Sequence, residues 1–411
     1  MALGGATLLA TGVVVWWLAG REAVPAAVQQ AATTPSVPAL TIAVAATAEP
    51  QVDVAASAVR AVLSAASAVP VDKEFVNVCG VGKVRRSELE PQEGAPRPAW
   101  MQAMREQSQQ ALPDLARRLD AAGSLNARVA AAVLRDDAGQ AAQLAAAAGD
   151  ADAYRMAMRA CRRHAEQHNL ADHLRQMRAA PRASGVVVPT IVDPGEAPNA
   201  CAMLSLERLE VMDGADAWPW LVRLNDSMAR ADDAGITQAL YQLGQRDWSP
   251  FSTRTLGRTV AVAVGDEPSA MDAMALMSVM SKDMGSARDG APSQLLRACQ
   301  PGMLNDANRR QLCEQAVRRL AGTATEMSDG RALYVLEERL GLPHHPQTMS
   351  PAEQQRGRDA LQLYGPALLK EPTCATFTAF GQQLAKLSLQ GELAYMRARP
   401  AGAAPPPPSK Q

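Results

Sequence analysis

The segment "MRACRRHAEQH" combines one cysteine and two histidines at a spacing that suits a metal site. On an α-helix, Cys161, His164 and His168 lie at positions i, i+3 and i+7, within one narrow stripe. A metal ion would require Cys161 as a thiolate and both histidines neutral. No fourth ligand is evident, and Arg162 and Arg163 add positive charge beside the stripe. We therefore keep the three residues as metal candidates but expect no cofactor, with Cys161 in a disulfide and both histidines at the rim of a buried face.

The complete set of cysteines favours the disulfide interpretation. The chain contains six of them, and all follow a long apolar N-terminal segment: Cys79, Cys161, Cys201, Cys299, Cys313 and Cys374. Disulfides persist on the oxidising side of a membrane, whereas in a cytoplasmic domain the same cysteines would be buried thiols. The even number and the apolar segment together favour an oxidised body outside the cytoplasm.

A repeated triplet suggests which cysteines pair. Arg-Ala-Cys occurs in "MRACRRH" and in "LRACQPG", each time near the end of a predicted helix and followed by a further cysteine. Cys313 follows Cys299 across a short loop, and two antiparallel helices joined in this way can bring the two Cα atoms within disulfide range. Other pairings stay open, but the expected disulfides are Cys299–Cys313, by analogy Cys161–Cys201, and by exclusion Cys79–Cys374.

Motifs of the common enzyme classes are missing from the sequence. It contains no G-x-S-x-G, no H-E-x-x-H, no EF-hand loop and no dinucleotide fingerprint. The stretch "GVGK" is not a phosphate loop, because Asn77 and Val84 stand where that motif needs Gly and Ser or Thr. The chain has five histidines, but no motif places a recognisable nucleophile beside any of them. Carboxylates far apart in sequence could still form a catalytic pair in the folded chain. A catalytic function is therefore the less favoured class.

Composition predicts a helical protein without a nucleic-acid partner. Of the 411 residues, 47% are hydrophobic but only 4% aromatic, so Ala, Leu, Val and Met must build the core. Ala and Leu are strong helix formers. The net charge is −1 with both signs dispersed, and no basic stripe suits a nucleic acid. We expect an all-α fold of irregular stacked helical hairpins in two lobes, with at most a short β element near 74–86.

Helix start and stop signals give the expected elements. We predict one helix over 126–148, capping by Asp150 or Asp152 at the start of the next, and a last helix over 373–397. "SPAE" at 350–353 has the pattern of a capping box with proline at the first helical position.

The stretch 216–244 reads as helix, short turn and helix. Trp220 opens the first helix, "ARAD" forms the turn, and Ala239-Leu240 follow in the second helix, an arrangement that resembles a tetratricopeptide repeat. Residues 145–161 repeat the turn and the second helix. The resemblance implies stacked helical hairpins. Its aromatic residues are expected to pack in the core, with a partner surface as the alternative: Trp218, Trp220, Tyr241 and Trp248.

The N-terminal region predicts attachment to a membrane. Residues 1–20 carry no charged side chain and are long enough to cross the hydrocarbon core as an uncleaved anchor. The remaining expected divisions are a flexible Ala/Pro-rich linker at 21–70, a first helical lobe at 71–181, a Pro-rich connector at 182–199, a second lobe at 200–398 and a disordered tail at 399–411.

The leading hypothesis follows from anchor, cysteines and hairpins. The chain as a whole resembles membrane-anchored helical proteins of Gram-negative bacteria, a resemblance that implies no function. We expect a single-pass inner-membrane protein with a periplasmic body that binds or scaffolds protein partners of the cell envelope. The alternatives are an envelope hydrolase with a carboxylate/His site formed by tertiary contacts, and a cytoplasm-facing regulator with reduced cysteines.

Overall fold

A computed structural model describes residues 74–89, 98–179, 195, 197–247, 254–286, 291–362, 368 and 370–398. The predicted anchor, linker and tail, most of the connector, and Trp248 lie outside these residues. Within them, no helix has the length and apolarity that crossing a membrane requires.

The protein is mostly α-helical, as predicted, with a single small β-hairpin in the described ranges. The strands are β1 (Phe75–Val78) and β2 (Gly82–Arg85). The helices are α1 (Ala99–Ala122), α2 (Leu125–Leu134), α3 (Ala138–Ala146), α4 (Ala151–Ala179), α5 (Leu206–Met212), α6 (Trp218–Ala229), α7 (Asp233–Leu243), α8 (Thr255–Val264), α9 (Ala270–Ser286), α10 (Leu295–Ala298), α11 (Ala307–Ala321), α12 (Met327–Leu340), α13 (Pro351–Gln362), α14 (Cys374–Gln390) and α15 (Glu392–Arg397).

The hairpin occupies the segment where a β element was expected. Its strands pair antiparallel, with Val76 opposite Val84. Val76, Val78 and Val84 are buried while the residues between them are more exposed, which is the alternation of a strand with one face on a core. The backbone N–H of Cys79 donates to the carbonyl of Pro372 at 2.8 Å, so the hairpin lies against the chain just before α14.

The helix predicted over 126–148 is two helices. α2 ends at Leu134, Asp136 adopts a left-handed conformation with φ of 58°, and the Asp137 side chain accepts the N–H of Gln140 to begin α3. Aspartate tolerates the left-handed region and caps helices well, so the "DD" pair both interrupts the first helix and starts the second.

The last helix, predicted over 373–397, is also divided. Gly391 has φ of 82° and ψ of 156°, a conformation that only glycine adopts readily, and it separates α14 from α15. The break turns α15 back, and the N–H of Leu393 donates to the carbonyl of Thr325 at 2.9 Å.

Other start signals are confirmed. The Ser350 N–H donates to Glu353 Oε2 at 2.8 Å and the Glu353 N–H donates to Ser350 Oγ at 3.3 Å, which is a complete capping box at the start of α13. The Asp150 carboxylate accepts the N–H of Ala153 at 2.8 Å at the start of α4.

One continuous hydrophobic core extends from Val76 to Tyr395 and includes residues of both expected lobes. Helix α2 is buried on nearly all sides: Val129 to Leu134 are at most 4% exposed. An apolar, alanine-rich helix of this kind suits the centre of a helical protein, because small side chains let neighbouring helices approach. α2 packs on α1, α3, α4 and α8, and α9 packs on α1, α8 and α14.

Candidate functional site

The structure joins the six cysteines in the three pairs expected from the sequence. Cys79–Cys374, Cys161–Cys201 and Cys299–Cys313 have Cα–Cα distances of 4.6, 5.8 and 6.0 Å, all within disulfide range. The first joins the hairpin to α14, the second joins α4 to the segment before α5, and the third joins the end of α10 to α11.

The metal candidates have other partners. Cys161 is bonded to Cys201, so its sulfur is not a thiolate ligand. His168 Nδ1 lies 3.3 Å from Asp172 Oδ2, one helical turn away, and His164 is half-buried on the same helix. In the described ranges, no group of three or more His, Cys, Asp or Glu residues has an arrangement suited to a metal ion.

The aromatic cluster of 216–244 divides between interior and surface. Trp218 is fully buried and Trp220 is 7% exposed, both at the start of α6, so neither offers its ring to a partner. The partner-surface alternative therefore does not apply to these two residues, because the core takes up their large apolar area. Tyr241, on the outer face of α7, is 52% exposed.

A cavity of about 360 Å³ lies where α8, α9, α12, α13, α14 and α15 meet. We call it the acidic cavity because four of its lining residues are carboxylic acids. Its lining consists of Arg254, Met280, Asp283, Ala291, Glu326, Met327, Ser328, Asp329, Gln354, Ser388 and Glu392.

Arg254 forms ion pairs with two of the acids that line the cavity. It immediately precedes α8, and its side chain is 10% exposed. The Nη2 atom donates to Glu326 and lies 2.6 Å from Glu392 Oε1. One buried guanidinium thus compensates two carboxyls from different elements, while Asp329 lies on the next turn of α12 with 2% exposure.

The start of α12 and the start of α15 position the acids. Glu326 precedes the first residue of α12 but makes no capping bond of its own. Instead, Glu392 Oε2 accepts the N–H of Met327 at 2.9 Å, so α15 caps α12 from outside. An anion at a helix N-terminus is favourable, because the unsatisfied N–H groups there are partially positive.

The pKa values of the three acids near Arg254 are shifted differently. Burial raises the pKa of Asp329 to about 7, with a further contribution from Glu392 that Arg254 opposes. Burial also raises the pKa of Glu326 well above its usual value. The positive charge of Arg254 lowers this pKa, while the neighbouring carboxyls of Glu392 and Asp329 raise it further. Burial acts on Glu392 too, but Arg254 and the Met327 N–H outweigh it and lower that pKa. The pKa values of Glu326 and Glu392, two adjacent buried carboxyls that share one guanidinium, are thus shifted in opposite directions.

Asp283 on α9 has its own partners at the other side of the cavity. Its Oδ2 accepts the N–H of Gly257 at 2.6 Å, and its Oδ1 lies 3.7 Å from Nη1 of the buried Arg159. Burial raises the pKa of Asp283, and the positive charge of Arg159 opposes this shift.

Two further buried charged groups have structural partners. Arg155, 1% exposed, donates to Asp152, Asp213 and Asp216 at 2.6 to 2.9 Å and so fixes the turn before α6 on α4. Glu337 on α12 accepts bonds from the Thr348 hydroxyl at 2.8 Å and the His345 N–H at 3.0 Å.

His344 Nδ1 lies 3.1 Å from Glu337 Oε2, and the ring of His344 stacks on that of Tyr334. The carboxylate already accepts bonds from the loop after α12. This His–Glu pair therefore organises that loop and lies apart from the residues that line the acidic cavity.

Sequence reasoning did not find the acidic cavity. Its charged residues lie at 254, 283, 326, 329 and 392, in no recognisable motif. A weak signal exists in α12, where "ATEMSDG" places two acids three residues apart at a helix start. The break at Gly391, which brings Glu392 to them, was hidden inside a predicted continuous helix.

No known protein family, no curated protein and no solved structure matches the chain.

Proposed function

We propose that this chain is a disulfide-crosslinked helical binding module of the Gram-negative cell envelope. In this proposal residues 1–20 anchor it in the inner membrane, and the stacked helical hairpins of the body face the periplasm and bind protein partners. Their tetratricopeptide-like arrangement at 216–244 is part of the same proposal, since stacked hairpins provide extended surfaces for recognition.

One observation carries the proposal: all six cysteines are paired, and each pair joins separate elements. A reducing compartment would keep such thiols free, whereas the periplasm oxidises them. The crosslinks stabilise the fold chiefly by restricting the unfolded chain.

The compartment is tested with reporters fused after residue 398 of the full chain. We expect alkaline phosphatase, which needs an oxidising compartment, to be active, and a green fluorescent protein fusion to be dark. The matched control lacks residues 1–20 and should lose phosphatase activity. Fluorescence of the full-chain fusion would favour the cytoplasm-facing regulator and contradict the proposal.

The binding role is tested by crosslinking in cells followed by affinity purification under non-reducing conditions. We expect a reproducible envelope protein that is absent when the six cysteines are replaced by serine. Recovery of a small molecule without any protein partner would reject the scaffolding part of the proposal. A peptide map with free thiols at any of the three pairs would reject the crosslinked body.

A second candidate is the envelope hydrolase. It is favoured by the acidic cavity, where adjacent carboxyls have pKa values shifted in opposite directions, as they do in acid–base catalysis. The expected histidine is not among the lining residues. Chromogenic esters, glycosides and phosphoesters test this candidate: turnover by the purified protein that Asp329→Asn abolishes would support it, and no turnover of any of them would reject it.

A further inference from the structure

Carboxyls outnumber cations among the described residues that line the acidic cavity. Of the four acids, Asp283 lies next to Arg159, which is outside the lining. The other three, Glu326, Asp329 and Glu392, share one cationic lining residue, Arg254. A buried carboxylate without a compensating charge is costly, so a native protein normally pairs it or protonates it. Among the residues that the structure describes, this excess of acid is left to be compensated by bound protons or by a further positive charge.

Unpartnered polar atoms in the cavity wall favour a ligand. Asp329 is 2% exposed, and its Oδ2 accepts no hydrogen bond from any residue that the structure describes. The Ser388 hydroxyl, 1% exposed, and Arg254 Nη1 are likewise without a hydrogen-bond partner in the described part of the chain. Buried polar atoms are nearly always satisfied in folded proteins, and here, with Glu326 Oε1, four unsatisfied ones belong to residues that line one cavity.

The cavity has the size and the walls of a small-molecule site. Its volume of about 360 Å³ falls within the range of small-ligand pockets, which are mostly apolar with a few placed polar groups. Met280, Met327 and Ala291 supply apolar wall, and Gln354 supplies a neutral amide. Methionine side chains adapt to hydrocarbon groups of varied shape.

We propose that the acidic cavity binds a small organic cation that presents N–H donors from an ammonium, amidinium or guanidinium group. The cationic group donates to Asp329 Oδ2 and faces Glu326 and Glu392. A short hydrocarbon body lies along Met280 and Met327. Arg254 Nη1 and the Ser388 hydroxyl accommodate a neutral oxygen of the ligand, where it carries one. This inference concerns the folded body alone and does not depend on the compartment or the protein partner proposed above.

The test uses the full chain, purified in detergent with its disulfides intact, and isothermal titration calorimetry. The probes are n-butylguanidinium and n-butylurea, which have the same shape and differ in charge. We expect saturable one-to-one binding of n-butylguanidinium and none of n-butylurea. Equal binding of both, binding of neither, or saturable binding of Ca²⁺ or Mg²⁺ in place of n-butylguanidinium would overturn the proposal.

Variants locate the site. Asp329→Asn keeps the size of the side chain and removes its charge, so it should weaken n-butylguanidinium binding by at least about tenfold, the loss expected for one charge-assisted hydrogen bond. Asp266→Asn, at an exposed position after α8, is the matched control and should bind as the wild type does. Unchanged affinity of Asp329→Asn would overturn the proposal, and the comparison of the two probes on the wild type decides it should the variant fail to fold.

A pH series gives an independent measurement. The charged or titratable groups that face Asp329 are Arg254, Asp283, Glu326 and Glu392, while α13 and α14 contribute the neutral Gln354 and Ser388. If the cation requires ionised Asp329, n-butylguanidinium affinity should rise about tenfold from pH 6 to pH 8, in proportion to the ionised fraction. The probe itself stays charged over this range, so an affinity independent of pH would contradict the proposed contact.

Discussion

Asp329 is a buried carboxyl whose ionised form is disfavoured in the folded chain. Burial raises its pKa to about 7, well above the usual value of 3.8 for an aspartate side chain. The folded chain therefore holds a proton there over a pH range in which the unfolded chain has released it. A group of this kind lowers the stability of the fold as pH rises, since the folded form binds more protons than the unfolded form.

Asp329→Asn should remove this dependence. The contribution of Asp329 to stability is largest below pH 4 and is lost as pH rises toward 7, and asparagine does not titrate. From pH 5 to pH 8, we expect the free energy of unfolding of the variant to rise relative to that of the wild type. Urea unfolding at the two pH values measures it, and an identical difference at both would mean that Asp329 keeps an ordinary pKa.

Arg155 gives a second prediction at this scale. Its side chain is 1% exposed and pairs with Asp216, whose side chain is fully buried. Arg155→Met fills similar space but leaves Asp216 without its cation, which should cost about 3–5 kcal/mol of unfolding free energy. The matched control is Arg117→Met, because the Arg117–Asp114 pair is exposed and such pairs contribute about 0–1 kcal/mol. Similar urea midpoints for the two variants would show that the buried pair is not structural.

Glycines at helix ends control the arrangement of the elements. Gly391 and Gly265 have nearly the same φ, 82° and 80°, in a region open only to glycine. They differ in surroundings: a Cβ on Gly391 would lie 3.2 Å from Thr325 Cβ, whereas a Cβ on Gly265 would meet nothing within 4 Å. Gly391 also sets the direction of α15 and with it the position of Glu392.

Gly391→Ala should therefore be the more damaging of the two. Gly265→Ala adds backbone strain alone, about 1–3 kcal/mol, and Gly391→Ala adds the close contact with Thr325 to a similar strain. We expect a lower urea midpoint for Gly391→Ala and, because Glu392 is displaced from the acidic cavity, weaker n-butylguanidinium binding than in Gly265→Ala. Equal midpoints and equal binding in both variants would show that the contact with Thr325 is unimportant.

Local chemistry explains which elements were predictable. The capping box at Ser350 and the cap at Asp150 lie within a few residues of the helices that they begin, so the sequence displays them directly. The break at Asp136 was missed because the alanine-rich pattern continues across it. The break at Gly391 was missed because α14 and α15 are both apolar on one side. In both places the hydrophobic pattern gives no sign of the residue with positive φ that ends the helix.

The acidic cavity could not be predicted because its chemistry arises from tertiary contacts. Arg254 and Glu392 are far apart in sequence, and the raised pKa of Asp329 results from burial that no spacing reveals. The pairs Cys161–Cys201 and Cys79–Cys374 were expected only by analogy and by exclusion, but Cys299–Cys313 was accessible from local sequence. A short loop between two predicted helices restricts Cys299 and Cys313 almost to one another.

At the scale of the whole molecule, the three disulfides close loops of different length. The paired cysteines are separated by 295, 40 and 14 residues. In the chain-entropy treatment, longer loops give greater stabilisation, about 3 kcal/mol for the shortest and about 5–6 kcal/mol for the longest.

Replacing each pair by alanine should therefore lower the free energy of unfolding most for Cys79 with Cys374 and least for Cys299 with Cys313. Urea unfolding of the three double variants, with the remaining disulfides intact, gives the order. The reverse order would show that native contacts, rather than restriction of the unfolded chain, determine what each crosslink contributes.

The Cys79–Cys374 disulfide also determines how the protein responds to mechanical load. Tension applied to the chain before Cys79 and after Cys374 passes through one covalent bond and bypasses the 295 residues of sequence separation between them. The acidic cavity lies mostly within the bypassed region, but Ser388 and Glu392 follow Cys374 on the loaded side. A pull on the chain ends would thus leave most helices unloaded and would act on α14 and α15, which supply Ser388 and Glu392 to the cavity.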